Sequence, residues 1–276
     1  MKRLKPMARK TRTRRRPINV AASVLTSFGL YCGIASIFAA IDNRFERAAY
    51  FILAAIVFDM LDGAVAKLTH SVSEFGKQLD SLCDLVSFGV APAALIYTAY
   101  LNEEARTGSW IGRLGAMMAI IFVLFGALRL ARYNVYQSEM RDSFSGLPIP
   151  AAGGVIAAFV LFTHHLELRV GPWLLAPLTL ALAFLMVSTI RYPKDRLKMF
   201  VLAPRNAFRL LILCVVSIAV FHVATTHSFA IALLPIGAAY VLFGLWDEIY
   251  ARFLRHRPVF SPRTSQSEDT DSPAEP

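Results

Sequence analysis

Four aspartates stand where the chain is otherwise apolar: Asp59 and Asp62 near the end of one hydrophobic stretch, Asp80 and Asp84 near the start of the next. A charged side chain costs about 2.5 to 3.5 kcal/mol at the centre of a membrane-spanning helix and less near the interface, so four of them call for a function. Residues three, four and seven apart share a helical face. On the first helix that face carries Asp59, Asp62, Gly63 and Ala66; on the second it carries Gly76, Asp80, Asp84, Ser87 and Ala91. Two such helices joined by a loop turn the carboxylates toward one another with only small residues between them, a cage with room beside it. Clustered carboxylates repel unless they are protonated or share cations, and hard divalent ions such as Mg²⁺, Mn²⁺ or Ca²⁺ prefer oxygen ligands. Two such ions about 4 Å apart are the usual device for clamping the attacking and leaving oxygens of an in-line phosphoryl displacement. Gly63, Ala66 and Gly76 let a nucleotide or pyrophosphate approach the backbone, and Lys67 supplies a positive charge at the cage mouth. The same acids would suit a transporter coupled to protons or sodium, its glycines serving helix packing. Four acids in register with three small residues favour metal-dependent phosphotransfer.

The elements that must hold these acids follow from composition. Of 276 residues, 56% are hydrophobic and only 17% charged, and the mean hydropathy is +0.50. This is an integral membrane protein rather than a soluble domain or a disordered chain. Three cysteines, Cys32, Cys83 and Cys214, all in apolar stretches, exclude a disulfide scaffold. A bilayer core needs about 20 apolar residues per helix. Runs of that kind lie near Ile18 to Ile41, Ala48 to Leu68, Asp80 to Leu101, Ile111 to Tyr133, Leu147 to His165, Pro172 to Ile190, Ala207 to Thr225 and Phe229 to Tyr250. No alternation of period two points to a barrel, so the expected fold is all-α: a polytopic bundle of about eight transmembrane helices, six of them forming the catalytic core.

With the N-terminus cytoplasmic, eight spans put 24 Lys and Arg residues on the cytoplasmic side and five outside. That asymmetry supports both orientation and count, since dropping one span inverts every later loop. The net charge of +10 is therefore mostly a topology signal, and no nucleic-acid partner is expected. The expected divisions are a basic cytoplasmic segment at 1–17, the core at 18–206, two further helices at 207–250, and a disordered cytoplasmic tail at 251–276 rich in Ser, Pro and acid. Adjacent His164 and His165 do not share a helical side and are no metal pair. No zinc motif, P-loop or nucleophilic Ser/His/Asp order occurs.

Written out, Asp59 to Asp84 is DMLDGAVAKLTHSVSEFGKQLDSLCD. It resembles the signature of the CDP-alcohol phosphatidyltransferase family, D-x-x-D-G-x-x-A-R, eight residues, G-x-x-x-D-x-x-x-D. Every spacing agrees; the departure is Lys67, which keeps the charge of the family's Arg but loses its fork. Further stretches, SEFGKQLDSLCDLVSFGVAPA, ALRLARYNV, SGLPIPAAGG and VSTIRYPKDRLK, resemble the integral-membrane branch whose acceptor is L-serine. The first apolar run resembles that branch too, with Ala22, Ser23 and Gly29 where Pro, Asn and Asn are common.

The resemblance implies transfer of a phosphatidyl group from CDP-diacylglycerol to the hydroxyl of L-serine, with release of CMP; the alternative within the same family is another alcohol acceptor, such as glycerol 3-phosphate, inositol phosphate or choline. It implies two divalent ions, Mg²⁺ or Mn²⁺, one among Asp59, Asp62 and Asp80 and one among Asp59, Asp80 and Asp84, with Asp84 as general base. The CDP-diacylglycerol site is expected at Asp62, Gly63, Ala66, Lys67, Gly76 and Asp80. For serine, a zwitterion, the candidates are Arg129, Arg132, Ser87 and Asn134, Arg129 first because it lies deepest in its span. A homodimer in the bacterial inner membrane, with the active site cytoplasmic, completes the expectation.

Overall fold

A computed structural model describes residues 20–69, 73–101, 110–136, 144–168, 170–188, 190–192 and 229–253. The expected N-terminal segment 1–17, the run from Ala207 to Thr225 and nearly all of the expected tail lie outside the described residues. The described elements are helices apart from one short strand pair. They are α1 (Val20–Ile41), α2 (Phe45–Leu68), α3 (Glu74–Asp84), α4 (Ala91–Ile96), α5 (Trp110–Tyr136), α6 (Ile149–His165), α7 (Pro172–Val187) and α8 (Phe229–Phe253). Phe144 and Ser145 (β1) pair antiparallel with Tyr192 and Arg191 (β2). Among the described residues, four helical stretches are long and apolar enough to cross a membrane: Ala22–Ile41, Phe45–Ala66, Phe75–Tyr100 and Gly112–Val135. Two shorter apolar helices, Ile149–His165 and Leu174–Val187, and an apolar stretch of α8, Ala232–Trp246, accompany them. In lipid the backbone must satisfy its own hydrogen bonds, which is why these runs are helical.

Small side chains set the packing. Between α1 and α2 the buried positions include Ala39, Ala40, Ala48, Ala49 and Ala55, and Ser36 Oγ donates to the Ala48 carbonyl oxygen at 2.8 Å. Apolar lipid offers helices no hydrophobic reason to associate, so close backbone approach and such hydrogen bonds must supply the contact. Asn43, at φ 60°, makes the tight reversal between the two helices; its N–H and that of Arg44 satisfy the Ala40 and Ala39 carbonyls. Phe28, Tyr31 and Phe38 stay on the exposed side of α1, where lipid would cover them. At the end of α2 away from the acids, Glu46 pairs with His164 of α6 at 3.1 Å.

The third expected span differs in detail. It begins earlier, at Glu74, because Ser73 caps α3 by accepting from the Gly76 N–H at 3.0 Å. It is also not one regular helix: Leu85–Val90 widens into π-helical turns before α4, and Tyr97–Leu101 does so after it. The first widening meets α1. Ser87 Oγ donates to the Gly29 carbonyl oxygen at 3.1 Å. A Cβ on Gly33 would lie 2.5 Å from that hydroxyl oxygen and 2.8 Å from Ser87 Cα. On the other flank Gly153 of α6 approaches the Phe88 backbone so closely that a Cβ would lie 3.0 Å from its carbonyl oxygen.

Gly146 closes the base of the bundle. Its φ of +88° is open to glycine, and a side chain there would run into the Met186 carbonyl. Its N–H donates to Ile190, and the Leu147 N–H donates to Leu185.

Candidate functional site

The pairing of α2 with α3 does what the spacing requires. Asp59, Asp62 and Asp80 each offer a carboxylate oxygen, and these oxygens lie within 4.8 Å of one another. Asp84, one turn after Asp80, comes within hydrogen-bond reach of the Asp59 carboxyl. Asp62 is the most buried of the four, at 6% exposure. Its Oδ2 accepts a 2.6 Å hydrogen bond from Thr26 Oγ1 of α1, so three helices build the cluster. Three carboxylates converging with free lone pairs are an oxygen donor set of the kind hard divalent ions take, and the cluster could hold a metal ion.

Two spaces adjoin it. One, about 10 Å³, lies among the four acids, Thr26 and Cys83, room for about one water or one ion. The other, about 120 Å³, shares Thr26, Asp62 and Asp80 with the first and is otherwise walled by Ala22, Ser23, Gly63, Ala66, Ser73, Gly76 and Lys77. Gly63, Ala66 and Gly76 thus lie together as expected, and a Cβ added at Gly63 would meet nothing within 4 Å. The side chain of Lys67 lies outside the described residues, whereas Lys77 lines the space. Thr26, Ser23 and Lys77 had drawn no attention as site residues. Only Lys77 carried a usable signal, standing three residues before Asp80 and so on its helical face.

Arg129 of α5 is 8% exposed and lies in electrostatic range of Asp84, Tyr133 and Tyr240. Its Nε is buried without a hydrogen-bond partner among the described residues. The other expected acceptor contacts are engaged with protein groups. Ser87 is bound to Gly29, Asn134 Nδ2 donates to Ser81 Oγ at 3.0 Å, and Arg132 donates to the Val187 carbonyl oxygen at 2.8 Å. Tyr240 comes from α8, which had been expected to be peripheral.

The family model for CDP-alcohol phosphatidyltransferases matches residues 19–190, more than half of the chain, a range that includes the four aspartates, both spaces beside them and Arg129. The chain belongs to the CDP-alcohol phosphatidyltransferase family. It is therefore an enzyme of a transferase family, and its apolar helices make it an integral membrane protein. It is 38% identical over 195 residues to a CDP-diacylglycerol–serine O-phosphatidyltransferase of Helicobacter pylori, covering 67% of this chain and 79% of the relative. The Bacillus subtilis protein of the same name is 34% identical over 176 residues, 64% of this chain and 91% of the relative. An archaetidylserine synthase of Methanothermobacter thermautotrophicus is 37% identical over 173 residues, 62% of this chain and 68% of the relative.

Proposed function

We propose that the protein transfers the phosphatidyl group of CDP-diacylglycerol to the hydroxyl of L-serine, giving phosphatidylserine and CMP. The observation that carries this reading is the convergence of three carboxylates beside a small-residue cavity within the family-matched region. Relatives named for serine as acceptor support the choice of alcohol.

In this reading the serine oxygen bonds to the phosphorus that carries the diacylglycerol, the bond from that phosphorus to the bridging oxygen breaks, and CMP departs. Asp84 takes the hydroxyl proton as general base. Asp59, Asp62 and Asp80 would hold one divalent ion and Asp59, Asp80 and Asp84 a second. Bound there, Mg²⁺ or Mn²⁺ would offset charge on the diphosphate and the leaving oxygen. Gly63, Ala66 and Gly76 leave the wall against which the cytidine and diphosphate lie, with Lys67 and Lys77 supplying positive charge. Arg129, beside Asp84 with an uncommitted donor, takes the serine carboxylate. Arg132, Ser87 and Asn134, through their bonds to Val187, Gly29 and Ser81, fasten the helices that carry Arg129 and Asp84.

The architecture belongs to the same proposal: eight spans, a core at 18–206, two further helices at 207–250, and termini and site on the cytoplasmic side of a bacterial inner membrane. The asymmetry of Lys and Arg supports it. A homodimer is proposed from the family resemblance.

The test is CMP release by purified protein in detergent with CDP-diacylglycerol, Mn²⁺ or Mg²⁺ and a panel of alcohols, alongside Asp84→Asn. Serine-dependent, metal-dependent release, reduced about 10²- to 10⁴-fold in the variant, is expected. Release with another alcohol instead would overturn the choice of serine. A folded protein that releases no CMP with any acceptor would overturn the proposed reaction.

A further inference from the structure

The Thr26–Asp62 contact links α1 to the cluster, and it fixes how Asp62 can meet a cation. Thr26 is 8% exposed and Asp62 6%, so water does not compete freely for either group. Thr26 Oγ1 lies 2.6 Å from Asp62 Oδ2 and 3.0 Å from the Ala22 carbonyl oxygen one helical turn back. The second contact favours the rotamer that points the hydroxyl at Asp62. A hydroxyl has one proton to give, and an ionised carboxylate outbids a neutral carbonyl for it. The bond takes up one lone pair of Oδ2 and fixes the tilt of the Asp62 carboxylate, so Oδ1 is the oxygen on which Thr26 makes no claim.

That restriction separates divalent ions by their coordination habits. Ca²⁺ takes six to eight oxygens and accepts carboxylates through both of theirs, whereas Mg²⁺ demands near-octahedral geometry and is bound through one or two carboxylates. A carboxylate whose second oxygen carries a short hydrogen bond meets a cation more readily through the other oxygen, which suits the smaller ion and weakens the second contact that Ca²⁺ would gain.

We infer that Thr26 is a positioning residue that sets the cation preference of the aspartate cluster, disfavouring Ca²⁺ by tying up Asp62 Oδ2 from α1. The inference rests on the proposed cation-binding role of the cluster. Removing the hydroxyl frees Oδ2 for bidentate contact and loosens Asp62 in the same step.

The experiment compares full-length wild type, Thr26→Val and Thr26→Ser in detergent without substrate, reading bound Mn²⁺ by electron paramagnetic resonance and Ca²⁺ by competition. Val keeps the shape of Thr without its hydroxyl, and Ser keeps the hydroxyl. Should the Val variant fail to fold, Thr26→Ala takes its place. The expected result is a preference for Mn²⁺ over Ca²⁺ in wild type and Thr26→Ser that falls about tenfold or more in Thr26→Val. An unchanged preference in folded Thr26→Val, or equal loss in both variants, would overturn the role of Thr26 alone. A wild type that binds neither ion would overturn the cation-binding reading along with it.

Discussion

The Arg132 guanidinium donates from α5 to the Val187 carbonyl oxygen at 2.8 Å and to the Ser188 carbonyl oxygen at 3.3 Å, tying it to the last turn of α7. The final carbonyls of a helix have no partner within it, and in a bundle surrounded by lipid water is a poor substitute. Arg132→Ala strands these acceptors and is expected to cost about 1 to 3 kcal/mol, read as a lower melting temperature in detergent. Arg132→Lys, with one ammonium in place of a fork, should fall between. A melting temperature unmoved by the Ala change would mean that the guanidinium makes no net contribution to holding the two helices.

Gly33 and Gly63 predict opposite effects for the same added methyl group. At Gly33 a Cβ would collide with the Cα and Oγ of Ser87, so the backbones of α1 and the π-helical segment must part. Gly33→Ala is expected to destabilise by about 1 to 3 kcal/mol. At Gly63 the methyl enters open space beside the acids. Gly63→Ala should melt no lower than wild type, because alanine favours a helix, yet raise KM for CDP-diacylglycerol. Equal melting temperatures for the two variants would refute the close approach at Gly33, and an unchanged KM would move the nucleotide away from Gly63.

The aspartate cluster was legible because its geometry is local: positions 59, 62 and 63 repeat on one helical face and 76, 80 and 84 on the next, and a short connection forces the faces together. Thr26 was not legible, because its partner lies 36 residues away and which hydroxyl meets which acid is decided by how α1 docks on α2. Nor did a regular period of 3.6 foresee the widened turns at Leu85–Val90, which arise where Ser87 must meet the α1 backbone. The arginines show the same limit. Arg129 and Arg132 are three residues apart and alike in sequence, but the end of α7 claims one guanidinium and leaves a donor of the other uncommitted. Among the described residues, four of the eight expected spans appear as helices long and apolar enough to cross, and three more as apolar helical stretches.

Arg129 should separate the acceptor from the lipid donor. Its side chain is buried against the Asp84 end of the site and away from the cavity that Gly63 and Gly76 line. Arg129→Lys keeps a charge while losing the Nε donor and the planar fork. The expected outcome in steady-state CMP release is a KM for serine raised by about tenfold or more, the loss of one charge-assisted hydrogen bond, with KM for CDP-diacylglycerol nearly unchanged. A change confined to the lipid substrate would assign Arg129 to the phosphate instead.

Chelation distinguishes the acids from one another. Asp80 feels the charges of both Asp62 and Asp59, so in the absence of a cation the cluster works against the fold. Asp80→Asn removes part of that repulsion and should raise the melting temperature measured in EDTA. In wild type, adding Mn²⁺ at a hundredfold excess over its dissociation constant should stabilise by about 2.7 kcal/mol, because an ion held only by the native state shifts unfolding by mass action. Asp80→Asn should lose most of that gain, its oxygen being one of the three that converge. Asp84→Asn keeps those three oxygens and should still be stabilised by Mn²⁺ while its turnover collapses. If Asp84→Asn lost the metal response as completely as Asp80→Asn, Asp84 would be an obligatory ligand of the first ion, and the proton would need another acceptor.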